Sequence, residues 1–106
     1  MEWIKIFNNA NEIKSALHEN KPQLLIVHGV RITLVLRQNV IYALEDACPH
    51  NGQSLSKGNI NFSNEIVCPL HEYRFQLVTG REAGQRCRDL KTFLTKLDDT
   101  GFYIGL

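Results

Sequence analysis

The sequence predicts an all-β protein, in which antiparallel sheets form a base domain that carries an inserted subdomain and at most one short helix. Three observations support this. The β-branched runs Gln23–His28, Arg31–Arg37 and Val40–Leu44 are separated only by the turn signals Gly29-Val30 and Gln38-Asn39, which gives a three-stranded meander. Near the other end, Lys91–Leu97 and Phe102–Ile104 flank Asp98-Asp99-Thr100-Gly101, a hairpin signal. The helix–strand alternation that marks a parallel sheet is absent.

The elements follow in order. Trp3–Phe7 alternates large residues around Lys5 and reads as a first strand, with Trp3 and Phe7 expected in the base core. In Asn8–Glu19, Ile13, Ala16 and Leu17 fall at helical spacing, Asn8, Asn9 or Asn11 can cap, and Pro22 closes the segment. That places His18 on the helix surface and His28 at a strand end, neither with a local partner motif. After the meander the composition changes at Asp46. From 46 to 84 the chain is rich in turn residues, with short strands expected near Asn59–Phe62, Ile66–Val67 and Arg74–Leu77. Residues 46–84 read as an insert within a single domain spanning 1–106.

Composition limits the function classes. With 106 residues, 43% hydrophobic and 22% charged, the chain has the makings of one ordinary core and no room for a second catalytic domain. Twelve Lys or Arg against eleven Asp or Glu give a net charge of +1, and no run of like charge suggests a nucleic-acid or anionic-membrane surface. The longest apolar stretches, Leu24–Val27 and Ile32–Leu36, are far too short to span a bilayer. Met1-Glu2-Trp3-Ile4-Lys5 lacks the pattern of a signal peptide, so a soluble cytoplasmic protein is expected. Three cysteines, Cys48, Cys68 and Cys87, cannot all pair, which argues against a disulfide framework and towards metal binding.

Cys48-Pro49-His50 and Cys68-Pro69-Leu70-His71 each offer one thiolate and one imidazole, and seventeen residues separate His50 from Cys68. Such ligands suit iron–sulfur clusters and zinc. Pro49 and Pro69 stiffen the loops, while Gly52 and Gly58 permit turns that bring them face to face. A lone cysteine or histidine is most often a structural residue, but two Cys/His pairs, each with proline after the cysteine, are a poor match for chance. A structural Cys₂His₂ zinc stays open at this point, although a finger places both cysteines before both histidines and the order here is Cys, His, Cys, His.

With these residues in place, the sequence resembles the Rieske [2Fe–2S] family, whose motif is C-x-H, fifteen to twenty residues, then C-x-x-H. The likeness runs through Cys48–Gly58 and Cys68–Phe75, continues in Val78-Thr79-Gly80, and takes in the flanking meander and final hairpin. It implies a Rieske fold and one [2Fe–2S] cluster per chain. In that fold Cys48 and Cys68 bind the inner iron while His50 and His71 bind the outer one, near the surface. Two neutral imidazoles in place of thiolates leave the cluster less negative and easier to reduce than a four-cysteine ferredoxin.

Departures from the family pattern narrow the subtype to ferredoxin-like. Respiratory-chain members carry two further cysteines that staple the loops; Gln53 and Leu70 stand at those positions. Those members also place Ser and Tyr hydroxyls by the cluster, where Tyr73 and Phe75 stand here, so a potential in the lower Rieske range, roughly −150 mV or a little above, is expected. Glu72 replaces the usual glycine, and Gln85–Asp89 replaces a proline-rich covering loop. Cys87 reads as an unpaired structural cysteine, and Arg86, Arg88 and Lys91 as a solvated loop.

The function implied is one-electron transfer from a flavin or ferredoxin reductase to an oxygenase or similar terminal enzyme, docking through the tip at His50, Gln53, Leu70 and His71. The chain is expected to act as a monomer that transforms no substrate itself. The alternatives are an accessory chain like the small subunit of assimilatory nitrite reductase, or a redox-sensing module. An oxygenase catalytic subunit would need a mononuclear iron held by two further histidines and a carboxylate; only His18 and His28 remain after the cluster ligands, and that reading fails on length, since 106 residues leave no room for the catalytic domain.

Overall fold

Two-residue turns decide the first sheet. In the computed structural model, which describes Met1–Leu106, β2 (Gln23–Val27), β3 (Val30–Arg37) and β4 (Val40–Glu45) form an antiparallel meander in that order. Val27 pairs with Val30 and Arg37 with Val40. The connecting pairs are therefore His28-Gly29, at φ 50° and 77°, and Gln38-Asn39, at φ 50° and 66°. Two successive left-handed residues are what a type I′ hairpin turn needs, and its twist matches that of the strands. The first turn lies one residue before the expected Gly29-Val30, because Gly29 takes the second left-handed position and frees Val30 to pair.

The second sheet joins the two ends of the chain: β1 (Trp3–Phe7) pairs with β9 (Gly101–Gly105), which pairs with β8 (Thr95–Asp98), all antiparallel. Between β1 and β2 lies α1 (Ala10–Ala16), shorter than the expected Asn8–Glu19. The Asn9 side chain caps it by accepting from the Glu12 N–H at 3.0 Å, and Glu12 Oε1 accepts from the Asn8 N–H at 2.8 Å. Leu17 leaves the helix in an extended conformation and is buried in the base core, while Glu19 bridges to Leu36. Burial of Leu17 outweighs one more helical turn, and it leaves His18 beyond the helix rather than on its face.

Lys91–Leu97 is not one strand. Lys91 O accepts from the Glu45 N–H at 2.8 Å and the Phe93 N–H donates to Ala43 O at 2.9 Å, whereas Leu94 O already accepts from the Gly105 N–H of β9 at 2.9 Å and the ladder with β9 runs on from Thr95. The segment crosses from the edge of the meander to the terminal sheet, so no single ladder holds it. Trp3 also departs from expectation: it is 39% exposed, with Lys96 Nζ 5.0 Å from its ring, while Phe7 packs against the core beside Phe102.

The third sheet is small: β5 (Asn59–Ile60), β6 (Glu65–Val67) and β7 (Arg74–Gln76), preceded by a 3₁₀ turn at Leu55–Lys57. Phe62, expected near the end of β5, lies in the β5–β6 turn and is fully exposed. Two hydrophobic cores result. One joins α1, the meander and β9 through Ile13, Leu17, Ile32, Leu34, Phe102 and Ile104. The other gathers Cys48, Leu55, Ile66, Cys68, Phe75 and Leu77 against Val35, Leu44 and Leu90 of the flanking chain.

Gly80 closes the second core. At φ +77° it accepts from the Leu90 N–H at 2.7 Å, and a Cβ there would strike the Leu90 carbonyl oxygen. Gly80→Ala combines a left-handed alanine with backbone overlap and is expected to cost about 3 kcal/mol. Calorimetry should then show Tm lowered by roughly 10–20 °C; an unchanged Tm would mean that the Gly80–Leu90 contact relaxes freely.

Candidate metal centre

The first loop starts at Asp46, the residue after β4. The Cys48 N–H donates to Gln53 O at 2.9 Å, and the Cys48 carbonyl accepts from Asn51 and Gly52 at 3.2 and 2.7 Å. Gly52 takes φ 77°, which turns the chain back so that Ala47 bridges Ser54. Asp46 is buried beneath this loop. Its Oδ1 accepts from Thr33 Oγ at 2.8 Å, Ser54 Oγ at 2.9 Å and the Ser56 N–H at 3.1 Å, and Arg31 Nε approaches Oδ2 at 3.3 Å. One carboxylate thus ties the end of β4, the core of β3 and the far end of the loop. Sequence reasoning did not single it out; the available signal was an aspartate two residues before a ligand-type cysteine.

The second loop joins β6 to β7. The Cys68 N–H donates to Tyr73 O at 2.8 Å, while His71 and Glu72 both adopt left-handed conformations, φ 66° and 54°. That accounts for a glycine preference at position 72. Glutamate bears the conformational cost of about 1 kcal/mol and leaves its carboxylate in solvent. Asn51 links the loops, since its Oδ1 accepts from the Gln53 N–H at 2.9 Å and lies 4.0 Å from Cys68 Sγ.

The four candidate residues form two pairs, one buried and one exposed. Cys48 and Cys68 are buried, 2% and 0% exposed, and their thiols lie against each other. Burial pushes the Cys68 thiol up, with a further push from Cys48, while the Leu70 N–H directed at the sulfur favours thiolate. His50 and His71 are exposed, with ring centroids 5.7 Å apart at 77°. A soft buried pair together with a borderline exposed pair is the donor division that a two-iron cluster with unlike ends takes, so the residues fit a [2Fe–2S] group.

The flanking loop is exposed but tied down by ion pairs. Glu82, 1% exposed, accepts from the backbone of Gly84 and Arg86 and from the Arg86 guanidinium, at 2.5–3.2 Å. Arg86 beside it, reinforced by the two N–H groups, holds the Glu82 carboxyl down to about 2 against an ordinary 4.5, despite burial. Because the folded value is the lower one, the stability this carboxylate contributes is complete above pH 4.5 and is lost as pH falls towards about 2. Arg88 forms a two-pronged pair with Glu45 at 2.9 and 2.8 Å. Arg86 and Arg88 stay solvated, with side chains 53% and 60% exposed, as expected, and each is also anchored to a carboxylate that is largely or wholly withdrawn from water. Cys87 between them is half-buried, unpaired and packed against the second core.

Tyr73 lies face to face with His50, centroids 3.9 Å apart and planes within 11°. Arg86 Cζ sits 3.7 Å from the same Tyr73 ring. Phe75 is fully buried and has no hydroxyl to offer.

Comparison with known proteins agrees with this architecture. The ferredoxin component of the naphthalene 1,2-dioxygenase/salicylate 5-hydroxylase systems of Ralstonia sp. is 34% identical over 69% of this chain and 70% of its own. The ferredoxin of carbazole 1,9a-dioxygenase from Nocardioides aromaticivorans IC177 superposes with a TM-score of 0.83 at 23% identity, covering 98% of this chain and 97% of that one. A chain of the complex of reduced oxygenase and oxidized ferredoxin in carbazole 1,9a-dioxygenase superposes at 0.77 with 25% identity, covering 96% and 91%. A nitrite reductase (NADPH) small-subunit structure shares the fold at 0.81 and 20% identity over both whole chains. The family model for the Rieske [2Fe–2S] domain matches residues 3–94, and the chain belongs to that family.

Proposed function

We propose that this chain is a one-electron carrier that takes electrons from a reductase and delivers them to an oxygenase or similar terminal enzyme. The observation that carries this reading is a pair of exposed imidazoles, His50 and His71, with ring centroids 5.7 Å apart, on the same two loops that bury the thiols of Cys48 and Cys68 against each other. The cysteines would hold the inner iron and the histidines the outer one. The cluster supplies reversible one-electron chemistry. The chain supplies the rest: the second core keeps water from the thiols, Asn51 and the Leu70 N–H lie by Cys68 Sγ, and the histidines present the cluster to a docking partner through a tip that includes Gln53 and half-exposed Leu70.

Residues 46–84 serve as the cluster-binding subdomain within one Rieske domain, supported by their own sheet and by the core they share with Val35, Leu44 and Leu90. No helix is long and apolar enough to cross a membrane, and the reading places the carrier in the cytoplasm as a monomer. With Phe75 lacking a hydroxyl and Tyr73 placed on His50, few donors reach the cluster, which supports a potential at the lower end of the Rieske range, roughly −150 mV. The nitrite reductase small-subunit likeness is one of fold, and the presence of all four donors favours a carrier over a purely structural subunit.

Iron and acid-labile sulfide analysis with EPR of the dithionite-reduced protein tests the reading. Two irons, two sulfides and a signal with average g below the free-electron value are expected. Zinc without sulfide would overturn it.

A further inference from the structure

We propose that Arg86, braced by Glu82, presses Tyr73 onto His50, and that this stack orients the outer ligand and raises the reduction potential. The inference rests on the carrier reading and on His50 as a ligand.

The geometry is that of a sandwich. His50 and the Arg86 guanidinium lie 3.9 and 3.7 Å from the centre of one tyrosine ring. Two groups that close cannot share a face of the ring without overlapping, so they occupy opposite faces and Tyr73 is held between them. The outer layer is fixed from below. Arg86 Nε and one terminal nitrogen bond the two Glu82 oxygens at 3.2 and 3.0 Å, and its backbone N–H donates to Oε1 at 2.7 Å. Glu82 is itself fixed, because it is buried and bridges Phe75 of β7, and the Ala83 N–H donates to Arg74 O at 2.9 Å. A rigid path thus runs from the third sheet through Glu82, Arg86 and Tyr73 to an otherwise exposed imidazole.

The charges of the path are ordered as well. Of the Glu82–Arg86 pair, it is the guanidinium that lies against the ring facing His50. One-electron reduction adds one negative charge to the centre, and a cation on this side favours the reduced state. Glu82 offsets part of that field, so the effect is smaller than that of a free arginine. Planarity matters too: lysine would keep the charge but lose both the stacking and the two-pronged bond to Glu82.

Potentiometric titration of the cluster-loaded protein, followed by EPR, tests the proposal. Arg86→Gln should shift the reduction equilibrium towards the oxidised state by between about threefold and tenfold, the upper figure being about 59 mV for a one-electron couple. It should also alter the EPR line shape as His50 loosens. Arg86→Gln leaves Glu82 buried and unpaired, so the double variant Glu82→Gln/Arg86→Gln, which leaves no buried charge, provides the decisive comparison and should shift in the same direction. Arg86→Lys should keep most of the potential while changing the line shape. A double variant with wild-type potential and line shape, whatever its Tm, would reduce Arg86 to a loop staple. A wild-type protein without a [2Fe–2S] signal would instead mean that the carrier reading had failed.

Discussion

Cys68→Ser is expected to purify without a cluster: below a tenth of wild-type iron and sulfide, and no visible absorption or reduced EPR signal, on the order of what loss of a thiolate ligand brings. Serine nearly matches cysteine in size, and position 68 is fully buried at the end of β6 with its N–H bonded to Tyr73 O, so the backbone has no cause to move. What changes is the donor. A hydroxyl deprotonates far less readily than a thiol and binds iron poorly in this setting. Far-ultraviolet circular dichroism should keep its β signature, which separates loss of the ligand from loss of the fold. A Cys68→Ser protein with two irons and a normal spectrum would remove Cys68 from the ligand set and leave Cys87, half-buried beside the same core, as the sulfur to examine next.

The ligand residues were legible in the sequence because each pair is local. One residue separates Cys48 from His50 and two separate Cys68 from His71, so the motif survives without knowledge of the fold. The meander was legible for the same reason, since β-branched runs and two-residue turns are short-range signals. What escaped was set by tertiary contact. Leu17 quits its helix to fill the base core, and Lys91–Leu94 spans two sheets instead of extending β8. Trp3 has the look of a core residue, yet its place at the start of β1, paired with Gly105, leaves the ring in solvent beside Lys96. Glu82 and Arg86 look like ordinary surface charges four residues apart in a loop; only burial of Glu82 between β7 and the ligand loops makes them a brace. Asp46 escaped likewise, because Thr33, Ser54 and Ser56, which give it meaning, lie up to thirteen residues away.

Asp46→Ala is expected to lower stability by about 3–4 kcal/mol, the range for taking a charged acceptor out of a buried network. Calorimetry would read this as a fall in Tm of more than about 10 °C. The substitution strands the Thr33 hydroxyl inside the core and frees Ser54 and the Ser56 N–H, so the far end of the Cys48 loop loses its tether while the Cys48–Gln53 bond remains. The cluster should then be lost at a lower temperature than in the wild type, ahead of the β base. The pH dependence follows the same residue. Burial by itself would raise the Asp46 carboxyl, but hydrogen bonds from Ser54, Thr33 and Ser56 outweigh it and hold the group below its ordinary value of 3.8. The unfolded chain therefore takes up the proton first. The contribution is complete above the unfolded value and fades as pH falls through the folded one. Asp46→Asn, which cannot titrate, should flatten that part of the acid limb of a Tm-against-pH profile and leave the part that belongs to Glu82, whose carboxyl is held down to about 2. An acid limb identical to wild type in Asp46→Asn would mean that the loop's acid sensitivity resides in the Glu82–Arg86 brace alone. The tether and the brace would then be separate devices, one closing the Cys48 loop and the other bearing on His50.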